Sequence, residues 1–285
     1  MEYIIHNEYL KIRISSLGAE LQSVTGTDGR EYLWYGDEKF WSGRAPLLFP
    51  VCGGLINDSY ILNGNKYQMP KHGFAKHSEF TPEYKSDESC TFLLKSNEKT
   101  LRMFPFEFEL RVKYSLEKSS LKVEYSVKNL SDGTMYFSIG AHEGYYLPGG
   151  IEEYSIEFEK HETLDTFEFD GSFPNGKKHR ILENSRSLPL EYKYFDDDTL
   201  MFSGLNSAKA AIVSHGGEKI AEVDFSGFKY LLLWTMPDAP YICIEPWQGS
   251  PDPVGRCMEL SEKPDIITLP VGEEFNISHT ITFGA

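Results

Sequence analysis

FEFELRVKYSLE, residues 106–117, alternates from end to end: Phe106, Phe108, Leu110, Val112, Tyr114 and Leu116 are apolar, and the residues between them are polar and mostly charged. A helix of 3.6 residues per turn would scatter these side chains around its axis. A strand, with its period of two, sends one set to a core and the other to water. After a polar turn at Lys118 and Ser119, the stretch LKVEYSVKN repeats the pattern with Leu121, Val123, Tyr125 and Val127, so the two runs predict a β-hairpin. Shorter runs of the same kind are LKIRI at 10–14, YSIEFE at 154–159, KAAIVS at 209–214 and NISHTITF at 276–283. Turn signals such as TDG, LNGN, SDG, PGG, FPNG, SHGG and MPDAP divide the chain at short intervals, and continuous helical stripes are scarce. The expectation is an all-β antiparallel sandwich forming a single domain over residues 1–285.

Composition narrows the partners. With 28 basic and 43 acidic residues the formal charge is -15, which repels a phosphate backbone, so no nucleic acid partner is expected. MEYIIHNEYL lacks a basic segment leading into a continuous apolar run, and no later window approaches the roughly 20 apolar residues of a membrane span. No membrane partner is expected either, and the chain reads as cytoplasmic. Cys52, Cys90, Cys243 and Cys257 are scattered without C-x-x-C spacing, which suits reduced thiols rather than a disulfide frame or a zinc site. The sequence contains no G-x-G-x-x-G, H-E-x-x-H or G-x-S-x-G. GSFPNGKK, from Gly171, comes close to a phosphate-binding loop, but Lys178 stands where a magnesium-holding Ser or Thr belongs, and the segment reads as a surface turn.

Polar residues on otherwise apolar strands mark the candidate site. In PYICIEPWQGSPDP, residues 240–253, alternation puts Ile242 and Ile244 on one face and Tyr241, Cys243 and Glu245 on the other. Glu245 is then either a reactive carboxylate at a strand end, beside a Trp247 platform suited to a sugar face, or a structural acid paired to an arginine with Trp247 in the core. In MYFSIGAHEGYYLP, residues 135–148, Ser138 and Gly140 share a face with His142 and leave a hollow beneath it. GRAPLLFPVCGGLIND carries Arg44 ahead of a buried run, and MPKHGFAKHSEF carries His72 beside Gly73 in a loop. His77 reads as a surface histidine, and His279, alternating with Ile277, Ile281 and Phe283, as a hydrogen-bonded core residue.

Taken in chain order, from WSGRAPLLFPVCGGLINDSYILNG through PKHGFAKHSEF and FSIGAHEGYYLP to PYICIEPWQGSPDP, these stretches and their spacing resemble the aldose 1-epimerase (galactose mutarotase) superfamily, particularly its bacterial LacX-like branch, over nearly the full length. The resemblance implies a large antiparallel β-supersandwich with a sugar site in a concave groove. It also implies roles: Glu245 as catalytic base, His142 as catalytic acid, and Arg44 and His72 as substrate-binding residues. An acidic ligand to a sugar hydroxyl is implied as well, and in YFDDDTLMFSGL it falls among Asp196, Asp197 and Asp198, with Asp198 preferred because it is nearest the following strand. The reaction implied is anomer exchange. A base takes the anomeric proton, an acid protonates the ring oxygen, the ring opens to the aldehyde, and reclosure gives either anomer. No metal or other cofactor is called for. The expected geometry has His142 and Glu245 facing each other about a sugar ring apart, with Arg44 and His72 at the groove edge.

Two positions depart from the family pattern, since Gly54 and Lys76 stand where relatives often carry arginine. The loss of guanidinium donors favours a free aldohexose such as galactose or glucose over a hexose 6-phosphate, although Lys76 can still act as a point charge. Glu143 and Gly144, which follow His142, are expected to reshape the pocket wall. A non-catalytic sugar binder on the same scaffold is the alternative from another class. A glycosidase built on Glu245 and Asp252 is a more distant one. For assembly, monomer and homodimer both stay open.

Overall fold

The structure is a computed structural model and describes residues 1–284. The first strands are β1 (Glu2–His6), β2 (Leu10–Ser15), β3 (Leu21–Gly26), β4 (Ser59–Leu62), β5 (Asn65–Gln68), β6 (Thr81–Lys85) and β7 (Ser89–Lys95). A six-residue helix, α1 (Glu98–Met103), leads to β8 (Phe108–Glu117), β9 (Ser120–Asn129), β10 (Met135–Phe137), β11 (Ile139–Gly140) and β12 (Glu143–Tyr146). Two 17-residue strands, β13 (Tyr154–Asp170) and β14 (Phe173–Pro189), come next. The chain ends with β15 (Leu200–Ser203), β16 (Lys209–Ser214), β17 (Lys219–Asp224), β18 (Tyr230–Trp234), β19 (Tyr241–Gln248), β20 (Ile267–Leu269) and β21 (Glu274–Phe283).

The hairpin expected at 106–129 is β8 and β9, antiparallel, with Glu117 opposite Ser120 and Lys118 taking a left-handed φ of 53° in the two-residue turn. Its alternating apolar side chains are buried and its charged ones face outward, as the period of two requires. Around it grows a nine-stranded antiparallel sheet in the order β14-β13-β16-β17-β21-β9-β8-β7-β6. A second sheet of five strands runs β11-β19-β18-β15, with β12 also paired to β19. One buried apolar cluster joins the two, from Phe108, Val112 and Val123 on the large sheet to Tyr145, Ile242 and Ile244 on the smaller one. This is the large antiparallel β-supersandwich. Among the described residues, no helix is long and apolar enough to cross a membrane.

Two segments differ from their sequence reading. MYFSIGAHEGYYLP is three short strands rather than one: β10 pairs with β20 in a separate ladder, while β11 and β12 pair with β19. GSFPNGKK is more than a surface turn. It forms the tip of the β13–β14 hairpin, which leaves the large sheet and crosses the smaller one, where the Met201 N–H donates to Thr166 Oγ1 at 2.9 Å.

Candidate functional site

Strand β19 is buried along Tyr241–Trp247, with Ile242 and Ile244 entering the core between the sheets. Tyr241, Cys243, Glu245 and Trp247 point the other way, toward a cavity of about 370 Å³ that Glu245 and Trp247 line. That volume lies in the usual range for small-molecule sites, roughly 300–1,000 Å³. Gly140 pairs with Trp247 and Glu143 with Ile244, and the register is the same on both sides of the gap, so His142 stands directly across from Glu245 on the neighbouring strand. The gap falls where Pro246 has no N–H to give; its carbonyl accepts from Ala141 N–H at 3.0 Å. His142 Nε2 and Glu245 Oε2 are consequently 3.4 Å apart. The pair sits side by side on one sheet face. The separation of a sugar ring expected from the sequence is not found, because cross-strand neighbours are only about 5 Å apart at Cβ.

His72 reaches the same cavity from a strained loop. Its φ is 67°, and Gly73 follows at 72°, where an added Cβ would lie 2.1 Å from the Phe49 carbonyl oxygen. The conformation is held by a reciprocal pair with Gly53: His72 N–H donates to the Gly53 carbonyl at 2.9 Å, and Gly53 N–H donates to His72 Nδ1 at 3.1 Å. A ring nitrogen that accepts is unprotonated, so the neutral ring carries its proton on Nε2, ready to donate.

Aromatic rings enclose the histidines. Trp41 stacks on His142 with centroids 4.9 Å apart, Trp234 meets its edge at 5.6 Å, and His72 does so at 5.6 Å. Trp247 meets His72 edge-on at 5.5 Å and donates from Nε1 to the Ala141 carbonyl at 3.1 Å. Phe169 and Ser172, from the hairpin tip, complete the wall, together with Asp198 and the lysines Lys71 and Lys76.

Burial controls the charge state of this enclosure. It pushes the Glu245 carboxyl well up, an effect opposed by the Lys71 ammonium and reinforced by Glu143. It pushes the His142 imidazole down to about 3. His72 is likewise pushed well below the usual histidine range, first by burial and then by His142. Both members of the central pair are thus driven toward their neutral forms, carboxyl and imidazole, which together hold one exchangeable proton. Asp198 is raised by burial, with Lys71 opposing. His142, Cys243 and Glu245 have donor atoms within 4.8 Å of one another. Burial holds the Cys243 thiol well above its ordinary value.

The structure brings Glu245, His142, His72, Asp198, Trp247 and Lys76 to one cavity, while Asp196 and Asp197 stay exposed outside it. Arg44 is not among the lining residues: its guanidinium donates to the Gln22 carbonyl at 2.7 Å, and its N–H to Glu20 at 3.1 Å, so it ties the β3 edge to the loop before β4. The hollow expected beneath His142 is filled, since a Cβ on Gly140 would lie 2.8 Å from Trp247 and 3.1 Å from Cys52 Sγ. Trp247 is accordingly a fixed floor, 4% exposed, rather than a free platform. Glu143 points away from the cavity to His279 Nε2 at 3.1 Å, which gives His279 the expected hydrogen-bonded core place. Gly144 does shape the wall, by leaving room for Trp34 and Trp41. Asp252 is remote from Glu245 in function: its two oxygens take Lys263 Nζ at 2.8 Å and Ile56 N–H at 2.9 Å. Sequence reasoning missed Trp41, Trp234, Phe169, Ser172 and Lys71. Of these, Lys71 lies beside His72 in MPKHGFAKHSEF, Ser172 lies in GSFPNGKK and Trp41 stands three residues before Arg44, so local signals existed for these three.

The aldose 1-epimerase family model matches residues 1–282. The plasmid-borne protein LacX of Lactococcus lactis subsp. lactis is 36% identical, with 98% of each chain covered. Among solved structures, a galactose mutarotase related enzyme from Lactobacillus acidophilus superposes with a TM-score of 0.95 at 31% identity, covering 100% of this chain and 98% of its own. A galactose mutarotase-like protein from Lactobacillus casei does so at 0.95 and 32%, covering 99% of both.

Proposed function

This chain belongs to the aldose 1-epimerase family, and on that footing we propose that it is a mutarotase, acting as one sandwich domain to interconvert the α and β anomers of an aldohexose. The observation that carries the reading is the 3.4 Å pairing of His142 and Glu245 on one buried sheet face. The anomeric oxygen and the ring oxygen are both bonded to C1, so an acid and a base that stand side by side can address the two together. Glu245 takes the proton of the anomeric hydroxyl, the electron pair left on oxygen forms the carbonyl, the bond from C1 to the ring oxygen breaks, and that oxygen takes a proton from His142. Rotation about C1–C2 and reclosure return both protons. Starting from the neutral pair that burial favours, the same exchange runs with the two roles reversed. In either direction the pair holds one proton throughout.

The remaining residues bind and orient. His72 donates from Nε2 to a sugar oxygen, Asp198 and Lys76 meet hydroxyl or charged groups, and Trp247 forms the floor under the ring. Arg44 has no part in this reading. A glycosidase built on Glu245 and Asp252 loses its second carboxylate to Lys263. The test is anomer exchange followed by polarimetry or by NMR exchange spectroscopy. Glu245→Gln lowers kcat by roughly 10²–10⁴-fold, the usual worth of a general acid or base, with the fold intact. Saturable sugar binding with no acceleration of anomer exchange by the unmutated protein would leave a sugar binder and sink the enzyme.

A further inference from the structure

Cys243 stands two residues before Glu245 on the same face of β19, fully buried, and the exchange reaction makes no use of it. Two neighbouring strands offer four positions at this spot: His142 lies across from Glu245, and Gly144, whose missing side chain leaves its corner to Trp34 and Trp41, lies across from Cys243. The three side chains bring a nitrogen, a sulfur and an oxygen within 4.8 Å of one another, and His142 Nε2 is 3.4 Å from Glu245 Oε2. A tetrahedral zinc ion holds nitrogen and oxygen at about 2.0–2.1 Å and thiolate sulfur at about 2.3 Å, so its donors stand about 3.3 Å apart, or about 3.6 Å where one is sulfur. The separation of His142 and Glu245 already matches the first edge, and the thiol has to close by at most about 1.3 Å. A second observation points to a ligand. Glu245 Oε2, the oxygen nearest His142, is buried and has no hydrogen-bond partner among the described residues.

Charge favours a divalent ion at this spot. One thiolate, one carboxylate and one neutral imidazole cancel a charge of two, so the complex is neutral within a buried wall. Burial keeps the free thiol protonated, and coordination releases that proton to water. A thiolate beside an imidazole selects zinc and similar ions over magnesium or calcium, which prefer oxygen donors. The fourth position of the tetrahedron opens on the cavity that His142 and Glu245 line. We propose that His142, Cys243 and Glu245 are the three protein ligands of an inhibitory zinc site, in which the ion takes the donor atoms of the acid–base pair and stops anomer exchange. The site rests on the donor geometry; its effect on exchange rests on the mutarotase reading above. No C-x-x-C spacing announces it, because the three residues meet only through strand register.

Metal-stripped protein titrated with zinc chloride in equilibrium dialysis tests it, alongside exchange NMR on the anomers of glucose and galactose. Zinc should bind and exchange should fall in proportion to its occupancy, a chelator should restore the rate, and magnesium at the same concentration should have no effect. Cobalt(II) reports the donors: a thiolate-to-cobalt charge-transfer band should appear with the intense visible bands of a tetrahedral ion. Cys243→Ala and Cys243→Ser should keep the fold by circular dichroism and the exchange rate of the unmutated protein, yet bind zinc at least about 100-fold more weakly, the upper end of what losing a group that merely supports a ligand costs. Cys257→Ala, which removes the least buried thiol, should change neither binding nor rate. Zinc binding unaltered by both Cys243 variants, or a cobalt spectrum without the thiolate band, overturns the inference and leaves the mutarotase reading standing. Binding that disappears with Cys257 instead marks an adventitious ion only and overturns it too. Should the Cys243 variants fail to fold, the cobalt band of Cys257→Ala decides, by its presence or its loss. Zinc binding that requires Cys243, in a protein that exchanges no sugar, removes the mutarotase reading and keeps the metal site.

Discussion

The stack of Trp41 on His142 makes a quantitative prediction about acid pH. Burial moves the imidazole from its ordinary 6.5 to about 3, a displacement worth roughly 5 kcal/mol against protonation. A second proton on the pair blocks the exchange, so kcat/KM of the unmutated protein should hold level down to about pH 4 and fall only as His142 titrates near 3. Trp41→Ala removes one of the three rings packed on His142 and admits water beside it. If that restores about 40% of the lost hydration, the acid limb moves up to roughly 4.5. At pH 4 the imidazole is then about one-quarter neutral instead of about nine-tenths, and the ratio of kcat/KM at pH 4 to that at pH 7 drops roughly fourfold. Initial rates of anomer exchange, with the uncatalysed rate subtracted and circular dichroism confirming the fold at each pH, supply the numbers. A limb near 6.5 in the unmutated protein, or one that stays near 3 in the variant, would refute burial as the cause. A rate that climbs as the pH falls through 4 would instead show that the active imidazole is the charged one.

Glu245→Gln should also stabilise the protein at neutral pH. The folded carboxyl is held well above its unfolded value near 4.5, so the stability lost as pH rises past 4.5 belongs to Glu245, and the melting temperature of the variant should exceed that of the parent at pH 7.5 but not at pH 4. Gly73→Ala forces a Cβ against the Phe49 carbonyl at a left-handed φ, costing on the order of 1–3 kcal/mol from strain alone; His72 is displaced with it, and both melting temperature and kcat/KM should fall. Lys263→Met strands the buried Asp252 carboxylate and should cost about 3–5 kcal/mol by denaturant titration, so an unchanged midpoint would refute the ion pair as a support of the fold. His279→Leu likewise leaves Glu143 buried without its partner, and adding Glu143→Leu should recover most of the loss.

The hairpin at 106–129 was legible because strict alternation over so many residues fits only a strand, and the turn between its runs is two residues long. Glu245 and His142 were legible as polar residues on otherwise apolar strands, and the order of the motifs supplied their company. Their contact was not, because it depends on a register between strands about a hundred residues apart, which no local pattern encodes. Arg44 shows the same limit from the other side: its sequence places a guanidinium near the site but not the direction it takes, and the Gln22 carbonyl decides that. The hairpin tip was read as a bland turn because turn residues look alike whether they close over water or over a cavity. Its reach comes from the length of β13 and β14, and their register shifts interrupt the alternation by which a long strand is recognised.

The unbroken register that sets His142 across from Glu245 separates two tasks within this fold. On the mutarotase reading, the spacing of the proton-exchanging pair is inherited from the pitch of a β-sheet, which neighbouring strands hold. Most of the polar groups that face the rest of the cavity, by contrast, hang from the turn at 70–77, the hairpin tip at 169–173 and the bend at 196–198, over a floor that Trp247 supplies from the sheet. Such a scaffold can trade one sugar for another by changing its periphery while the reaction at C1 stays the same.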